Sequence, residues 1–506
     1  MKKPSAKQIF RFLCLTLSVA LVLCSFTSCR KKDDDYSVYE SIIELPTDTD
    51  SKSDNKGDTQ SGNNSASASG GSSASASTGN SGSVTTKGKT FTIVSDLLPA
   101  KESKDNQLFE KVFFERVREV EKQYGCTIKI INTLFPSPKN LAPMISAGKK
   151  IADVIEVELR NLPALSTGGY LKPWNEIPGI NTGDSKYTAS YTKLATMGKN
   201  VWGLQFEKPP EVRYCLIMNK NLLKAAKINP DDIYSMINNK TWNYDKLIEY
   251  AKATTDAGKG IYGVGGRPDY VAEMLLASNN AKLVSMDVNG KATATYTSQN
   301  VINSMNFLNR MINEDKVFMT ASGMFKSGTY DASVPDYTDR FIKGKIAFLF
   351  EDSWVLNQQI RPKVKNFDYG MIMIPLGPNG TQYVSPAEHA RVFTVTSTNK
   401  ELDFTAKIFN ELAKQPSGYS GDNWWKEEIQ LDYFQKGDTK SMDIYLKSLE
   451  SSTWDLGAGI DAVNKGFKNT VIFDSMFWKT KGLTPEAAIK SLAGTYDKTI
   501  NDLFNK

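Results

Sequence analysis

Between Phe91 and Leu412 the apolar residues fall into short continuous runs separated by stretches with a helical stripe. Phe91 to Val94 is a β-type run that ends in the polar loop Ser95-Asp96-Leu97-Leu98-Pro99. The next stretch places Phe109, Phe113, Val117, Val120 and Tyr124 on one face of a long helix, with Gly125 as its stop. A second strand over Thr127 to Ile131, a helix closed by Gly148 and a third strand over Ala152 to Val157 complete a βαβαβ pattern. Glu158-Leu159-Arg160 follows the third strand on the same edge as Asp96, and a short helix from Asn161 to Thr167 precedes Gly168-Gly169.

The alternation resumes after Leu222. The spacing predicts a helix from Tyr244 to about Thr255 that buries Leu247, Ile248 and Ala251 and stops at Gly258. Gly258, Gly260 and Gly263 fit GxGxxG, but they follow a helix and precede a strand, the reverse of the order that sets a pyrophosphate on a helix N-terminus. They read as a helix stop and turn. Arg267-Pro268-Asp269-Tyr270 then opens another helix at a strand end. A helix end carrying Phe341 and Ile342 stops at Gly344, and Ile346 to Phe350 reads as a fully buried parallel strand, with Glu351, Asp352 and Trp354 directly after it. Ligands of open α/β sheets bind beyond the carboxyl ends of the strands. Carboxylates there accept bonds from hydroxyls, and an indole offers a flat face to the C–H side of a sugar ring. The same residues are also explained structurally, as a helix-opening Trp packed on the sheet and two capping acids. Val392 to Thr396 is a further strand and Phe404 to Leu412 a helix; beyond Ser417 the chain is helical, carries Trp424, Trp425, Trp454 and Trp478, and ends in an amphipathic helix from Pro485 to Phe504.

At 506 residues the chain exceeds what one core supports, so two lobes are expected. Residues 1–28 belong to neither: Lys2, Lys3, Lys7 and Arg11 precede the apolar run Phe12 to Leu23, which is short for a membrane span and reads as a secretory signal. Phe26-Thr27-Ser28-Cys29 resembles a bacterial lipobox, with Phe26 where Leu is usual. The resemblance implies cleavage before Cys29, lipidation of that residue and tethering to the outer face of the cell membrane, in a Gram-positive bacterium. Residues 29–88 are polar and rich in Ser, Gly and Ala, too poor in apolar surface to fold. As a flexible coil they reach roughly 40 Å. Net charge is +6, but four positive residues lie in the signal and Arg30-Lys31-Lys32 beside the membrane, so the folded part is near neutral and nucleic acid is excluded as a partner. Of five cysteines, only Cys126 and Cys215 fall in the folded part, both in apolar surroundings that suit free thiols. There is no Cys/His cluster for a metal, no cofactor motif, and a single histidine, His389.

Ala147-Gly148-Lys149-Lys150-Ile151-Ala152-Asp153 followed by Gly168-Gly169-Tyr170-Leu171-Lys172-Pro173-Trp174 resembles the opening signature of the extracellular solute-binding proteins that serve ABC importers, family 1, the carbohydrate group. Trp202-Gly203 with Leu216 to Ala226, Thr241-Trp242, and Lys343-Gly344-Lys345 with Trp354 are similar to three further motifs of that family, in the right order, although Met218 replaces its usual Tyr. The resemblance implies an α/β, two-lobed, periplasmic-binding-protein-like (type II) fold with hinge crossovers near Arg213 and Tyr369. It implies a first lobe of residues 89–212 plus 374–416 and a second of 213–373 plus 417–506, with Phe367 to Pro375 recrossing to the first. By the family's pattern Asp96, Glu158, Arg160 and Arg213, and across the cleft Tyr270, Asp352, Trp354 and Trp454, hold a sugar. The implied protein is a monomer that binds without chemistry and passes its solute to an ABC permease. A peptide or other non-sugar ligand is the alternative, since Arg160 and Arg213 suit a carboxylate. A surface glycoside hydrolase would need paired carboxylates, but Glu351 and Asp352 are adjacent on an extended chain and point apart, and there is no GxSxG or HExxH.

Overall fold

The computed structural model describes residues 84–505 apart from 105, 133–135, 207–211, 321–324, 327–328, 331–336 and 480–481. The stretch expected to be a secretory signal, Cys29 and most of the expected tether lie outside the described residues. Among the described residues no helix is long and apolar enough to cross a membrane.

The elements that position the site run as follows: β1 (Thr90–Ser95), α1 (Leu108–Tyr124), β2 (Thr127–Asn132), α2 (Pro138–Ser146), β3 (Val154–Glu158), α3 (Leu162–Thr167), β4 (Leu171–Lys172), α4 (Ala189–Leu194) and β5 (Tyr214–Asn219). Then come α5 (Tyr244–Thr254), β6 (Tyr262–Gly266), α6 (Pro268–Ser278), β7 (Ile346–Asp352), β8 (Tyr369–Ile372), β9 (Arg391–Thr396), α7 (Leu402–Leu412), α8 (Asn423–Tyr433) and α9 (Thr439–Glu450). The last two helices are α10 (Pro485–Ser491) and α11 (Ala493–Phe504).

Two sheets form two α/β lobes. The first has the order β2-β1-β3-β9-β4, with β1 parallel to both β2 and β3, and β9 antiparallel to β3 and β4. Strand β3 is buried along its whole length because helices cover both faces of the sheet, which is why its run is continuously apolar apart from Glu156 and Glu158. Gly125 ends α1 at φ 62°, a left-handed cap that costs glycine nothing, and its N–H bonds the Glu121 carbonyl at 2.9 Å. On one face, Phe91, Val117, Val120, Trp174, Phe393 and Phe409 form a core cluster, in which the Trp174 and Phe409 rings stack at 4.4 Å and Trp174 Nε1 donates to the Phe393 carbonyl at 2.7 Å.

The second sheet has the order β8-β5-β7-β6. Here the expected parallel strand at Ile346 is only half parallel: β7 runs parallel to β6 but antiparallel to β5. It also extends through Asp352, so Glu351 faces Cys215 and Asp352 faces Tyr214 in the ladder, on opposite sides of the sheet. The stretch expected to recross to the first lobe begins as β8, paired with β5 in the second sheet from Tyr369 to Ile372. Cys126 and Cys215 are both buried free thiols, Cys215 on β5 and Cys126 just before β2.

Helix α5 buries Leu247, Ile248 and Ala251 and is capped by Asn243, but it ends at Thr254 rather than at Gly258. Thr255 turns extended, and Gly260 at φ 65° closes the turn that follows. Gly263 has a separate reason: a Cβ there would lie 2.3 Å from the Ala251 carbonyl oxygen, so its bareness lets α5 pack directly on β6. The predicted terminal helix is two helices, broken at Leu492, because Tyr496 is drawn inward to donate its hydroxyl to the Val463 carbonyl at 2.7 Å. Helix α9 packs on β8, where Ser441 Oγ accepts the Met371 N–H at 2.9 Å. Helix α8 touches both lobes: Glu428 accepts the Leu108 N–H at the start of α1, and the Tyr433 carbonyl accepts the Tyr369 hydroxyl.

Candidate functional site

The carboxyl ends of β1 and β3 and the amino end of β9 meet at one edge of the first sheet, and each carries a charge there. Arg391 grips Asp96 with two bonds, Nε to Oδ1 at 3.0 Å and a terminal nitrogen to Oδ2 at 2.8 Å. Its ladder partner is Glu158, whose Oε1 lies 3.6 Å from the same guanidinium and 3.6 Å from His389 Nδ1. Arg160 Nε donates to Glu158 Oε2 at 2.6 Å. Burial pushes the Glu158 carboxyl up, but the His389 contact and the Arg160 and Arg391 charges outweigh it and hold it well below the usual carboxylate range. His389 is itself shifted below the usual imidazole value by burial and by the fields of Arg160 and Arg213, against the pull of Glu158.

The second lobe meets this edge with a matching pair. Arg213 lies 3.6 Å from Asp352 and donates to the His389 carbonyl at 3.0 Å. Tyr270 sits between them, its ring 5.0 Å from Tyr214 and 5.7 Å from His389, with the Arg267 guanidinium 4.4 Å from its centroid. Trp354 opens the helical turn after β7 and is 44% exposed, so its indole is available to a partner. Of the eight predicted ligand residues, Asp96, Glu158 and Arg160 thus share one ion network, Arg213 and Asp352 form a second that reaches His389, Tyr270 packs at a tilt against Tyr214 and His389, and Trp354 stands at the surface. Arg160 and Arg213 both have partners within the protein, which leaves them poorly placed to clamp a free carboxylate.

Trp454 lies elsewhere. It lines a cavity of about 630 Å³ whose walls come from residues 193–198, from α6 and the segment 280–288 after it, from 380–388 and from 450–472. Its Nε1 donates to the Leu194 carbonyl at the end of α4, at 2.8 Å, so the tail of the chain bridges to the far wall. None of the other seven predicted residues lines this cavity. Six acids do, Asp269, Glu273, Asp287, Glu388, Glu450 and Asp455, of which Asp269, Glu273, Glu388 and Asp455 are the buried ones. Asp269 is held by Arg267 at 2.8 Å and Lys468 at 2.6 Å; burial pushes its carboxyl up, but these cations hold it far down. Sequence reasoning missed Glu273, Glu388 and Arg391. Asp269 and Glu273, four apart on a helix that follows a strand end, are a signal in the sequence for a shared face; nothing local marks the other two. Among the described residues no group of His, Cys, Asp and Glu side chains is disposed to hold a metal ion.

A family model described as bacterial extracellular solute-binding protein matches residues 100–439, more than half of the 506-residue chain. The chain belongs to that family. A comparison with curated proteins finds no match. Among solved structures, the ABC transporter solute-binding protein of Thermotoga lettingae bound with alpha-D-tagatose is 17% identical with a TM-score of 0.54, covering 81% of this chain and 100% of that one. The cyclic alpha-maltosyl-1,6-maltose binding protein of Arthrobacter globiformis is 12% identical with a TM-score of 0.58, covering 82% and 99%. UgpB of Mycobacterium tuberculosis, in complex with glycerophosphocholine, is 12% identical with a TM-score of 0.57, covering 81% and 98%. At these identities the likeness is one of fold. This solute-binding protein therefore shares the two-lobed architecture of these three.

The charges of its two clusters set the pH response of the fold. A carboxyl held low, such as Glu158 or Asp269, stabilises the fold above about pH 4 and loses that contribution as pH falls further. Glu273 and Glu388, pushed up by burial first and by neighbouring acids second, and Glu428, pushed up by burial to about 6, do the reverse. They favour the fold at acid pH, and that advantage drains away as pH rises towards neutrality. Urea midpoints are therefore expected to be highest in weakly acidic solution and lower at both pH 3 and pH 8, with Glu158→Gln flattening the acid limb. A midpoint that climbs steadily from pH 3 to pH 8 would contradict this assignment.

Proposed function

We propose that this is an extracellular, membrane-anchored binding protein that captures a sugar or oligosaccharide between its lobes and delivers it, unchanged, to an ABC importer. The observation that carries the reading is the cavity of about 630 Å³, of a size suited to a small saccharide, with Trp454 in its wall and hydrogen-bonding groups around it. Trp454 stacks on the sugar ring, and the carboxylates of α6 and of residues 385–391 accept its hydroxyls. The Asp96, Glu158, Arg160 and Arg391 network braces the first lobe's edge, the Arg213–Asp352 pair braces the second, and the Arg213 bond to the His389 carbonyl links the two. Family membership and the sugar-bound relatives of the same fold support this choice; the glycerophosphocholine complex supports, as a second reading, a non-sugar solute in the same cleft. Closure of the lobes about the crossing segments would present the loaded form to the permease.

Titration calorimetry against mono- and oligosaccharides, amino acids and short peptides tests the function. One-to-one binding of a single sugar class, with the sugar recovered intact, is expected; binding of peptides alone, or cleavage of the sugar, would overturn it. The anchor rests on the lipobox-like sequence ending at Cys29. Cys29→Ser is expected to shift the protein from the membrane fraction into the medium. Retention of the variant on membranes would refute lipidation at that residue.

A further inference from the structure

The acids of the cavity are not equivalent. Asp269 has Arg267 and Lys468, and Asp455 accepts the backbone N–H groups of Leu283, Val284 and Gly457. Glu273 has only neutral donors, with the Tyr214 hydroxyl at 2.8 Å. Glu388 is 3% exposed and receives one long bond, 3.4 Å, from the Asp455 N–H. Its second oxygen, Oε2, is buried with no hydrogen-bond partner among the described residues. No cation among the described residues forms an ion pair with either glutamate, and the other lysines of the wall, Lys193 and Lys282, are exposed to solvent. A buried carboxylate with a bare oxygen is costly unless a charge or donor arrives to meet it. Burial, then the Asp269 charge for Glu273 and the Glu273 charge for Glu388, raise the tendency of both to hold a proton; for Glu273 these outweigh the Tyr214 hydroxyl and the more distant charges of Arg160 and Arg267.

We propose that the cavity selects a solute that carries a protonated amine beside its hydroxyl groups, an amino sugar, with Glu388 and Glu273 facing the ammonium group. An ammonium brings three donors and one positive charge, so its arrival favours release of the glutamates' protons and pairs with the carboxylates left behind. A neutral sugar supplies hydroxyl donors but no charge to draw those protons off. This inference rests on the carbohydrate reading and narrows it.

Titration calorimetry on the whole protein with glucosamine, N-acetylglucosamine and glucose, and with their β-1,4-linked dimers, compares an amine, an acetamide and a hydroxyl at one ring carbon. The amine forms are expected to bind at least tenfold more tightly, as for a desolvated charge pair. Glu388→Gln, nearly isosteric, is expected to abolish that preference while the variant keeps a cooperative thermal transition; Glu273→Gln provides a second variant should the first fold poorly. Neutral forms that bind as well as the amines, or a preference that survives both substitutions, would overturn the inference and leave the broader carbohydrate reading intact. If no amine-bearing sugar binds, the inference fails; if no sugar of any kind binds, the broader reading fails with it.

Discussion

Trp454→Ala is expected to weaken sugar binding roughly 30-fold or more, the scale of an aromatic hot spot lost from a desolvated pocket. Two contributions go together in that loss. The indole face is removed from the wall of the cavity, and the Nε1 bond to the Leu194 carbonyl, which spans from the tail to the end of α4, is broken. Trp454→Phe separates them, since it keeps an aromatic face but has no N–H donor. Affinity retained in the Phe variant and lost in the Ala variant identifies stacking as the main contribution. Equal losses in both identify the bridge to Leu194, and unchanged affinity in both would remove Trp454 from the site.

The second large effect concerns the ion network at the edge of the first sheet. Arg391 is 7% exposed and serves two buried carboxylates, Asp96 through two bonds and Glu158 at 3.6 Å. Arg391→Met is expected to cost about 3–5 kcal/mol of folding stability, because it leaves those acids without their shared cation. Denaturant unfolding at neutral pH measures the loss. Adding Asp96→Asn to the variant should recover part of it, since one stranded charge is removed. The loss should also shrink at acid pH, where Glu158, no longer held low by Arg391, takes up a proton more readily. A cost below about 1 kcal/mol would mean that the network is solvated in solution and contributes little.

Much of the fold is legible in the chain because its signals are local. The strand at Phe91, the extent of α1 to its stop at Gly125 and the inward face of α5 each lie within one element and match what forms, whereas the buried face of α1 keeps Val117 and Val120 of the predicted stripe but takes Val112 and Phe114 with them. Strand pairing is different. Nothing near Ile346 announces that β5 lies antiparallel beside β7, or that Tyr369 to Ile372 stays in the second sheet, because those partners lie far away in sequence. The ion network has the same character: Arg391 and Asp96 are separated by 295 residues, and either one alone looks like an ordinary surface charge. Trp454 is legible through its setting in Ser-Ser-Thr-Trp-Asp-Leu-Gly, in which Asp455 turns back to cap the next turn. Glu388 is not, since its significance lies in a buried oxygen that nothing meets, and that is a property of the packed protein.

The measurement that tests the central claim most directly is a crystal structure of the protein with the sugar its titrations identify. The account predicts density for the sugar in the cavity lined by Trp454 and α6, with a ring against the indole and polar atoms within hydrogen-bond distance of Glu273 or Glu388. A sugar bound instead at the exposed face of Trp354, with the cavity left to water, would contradict it.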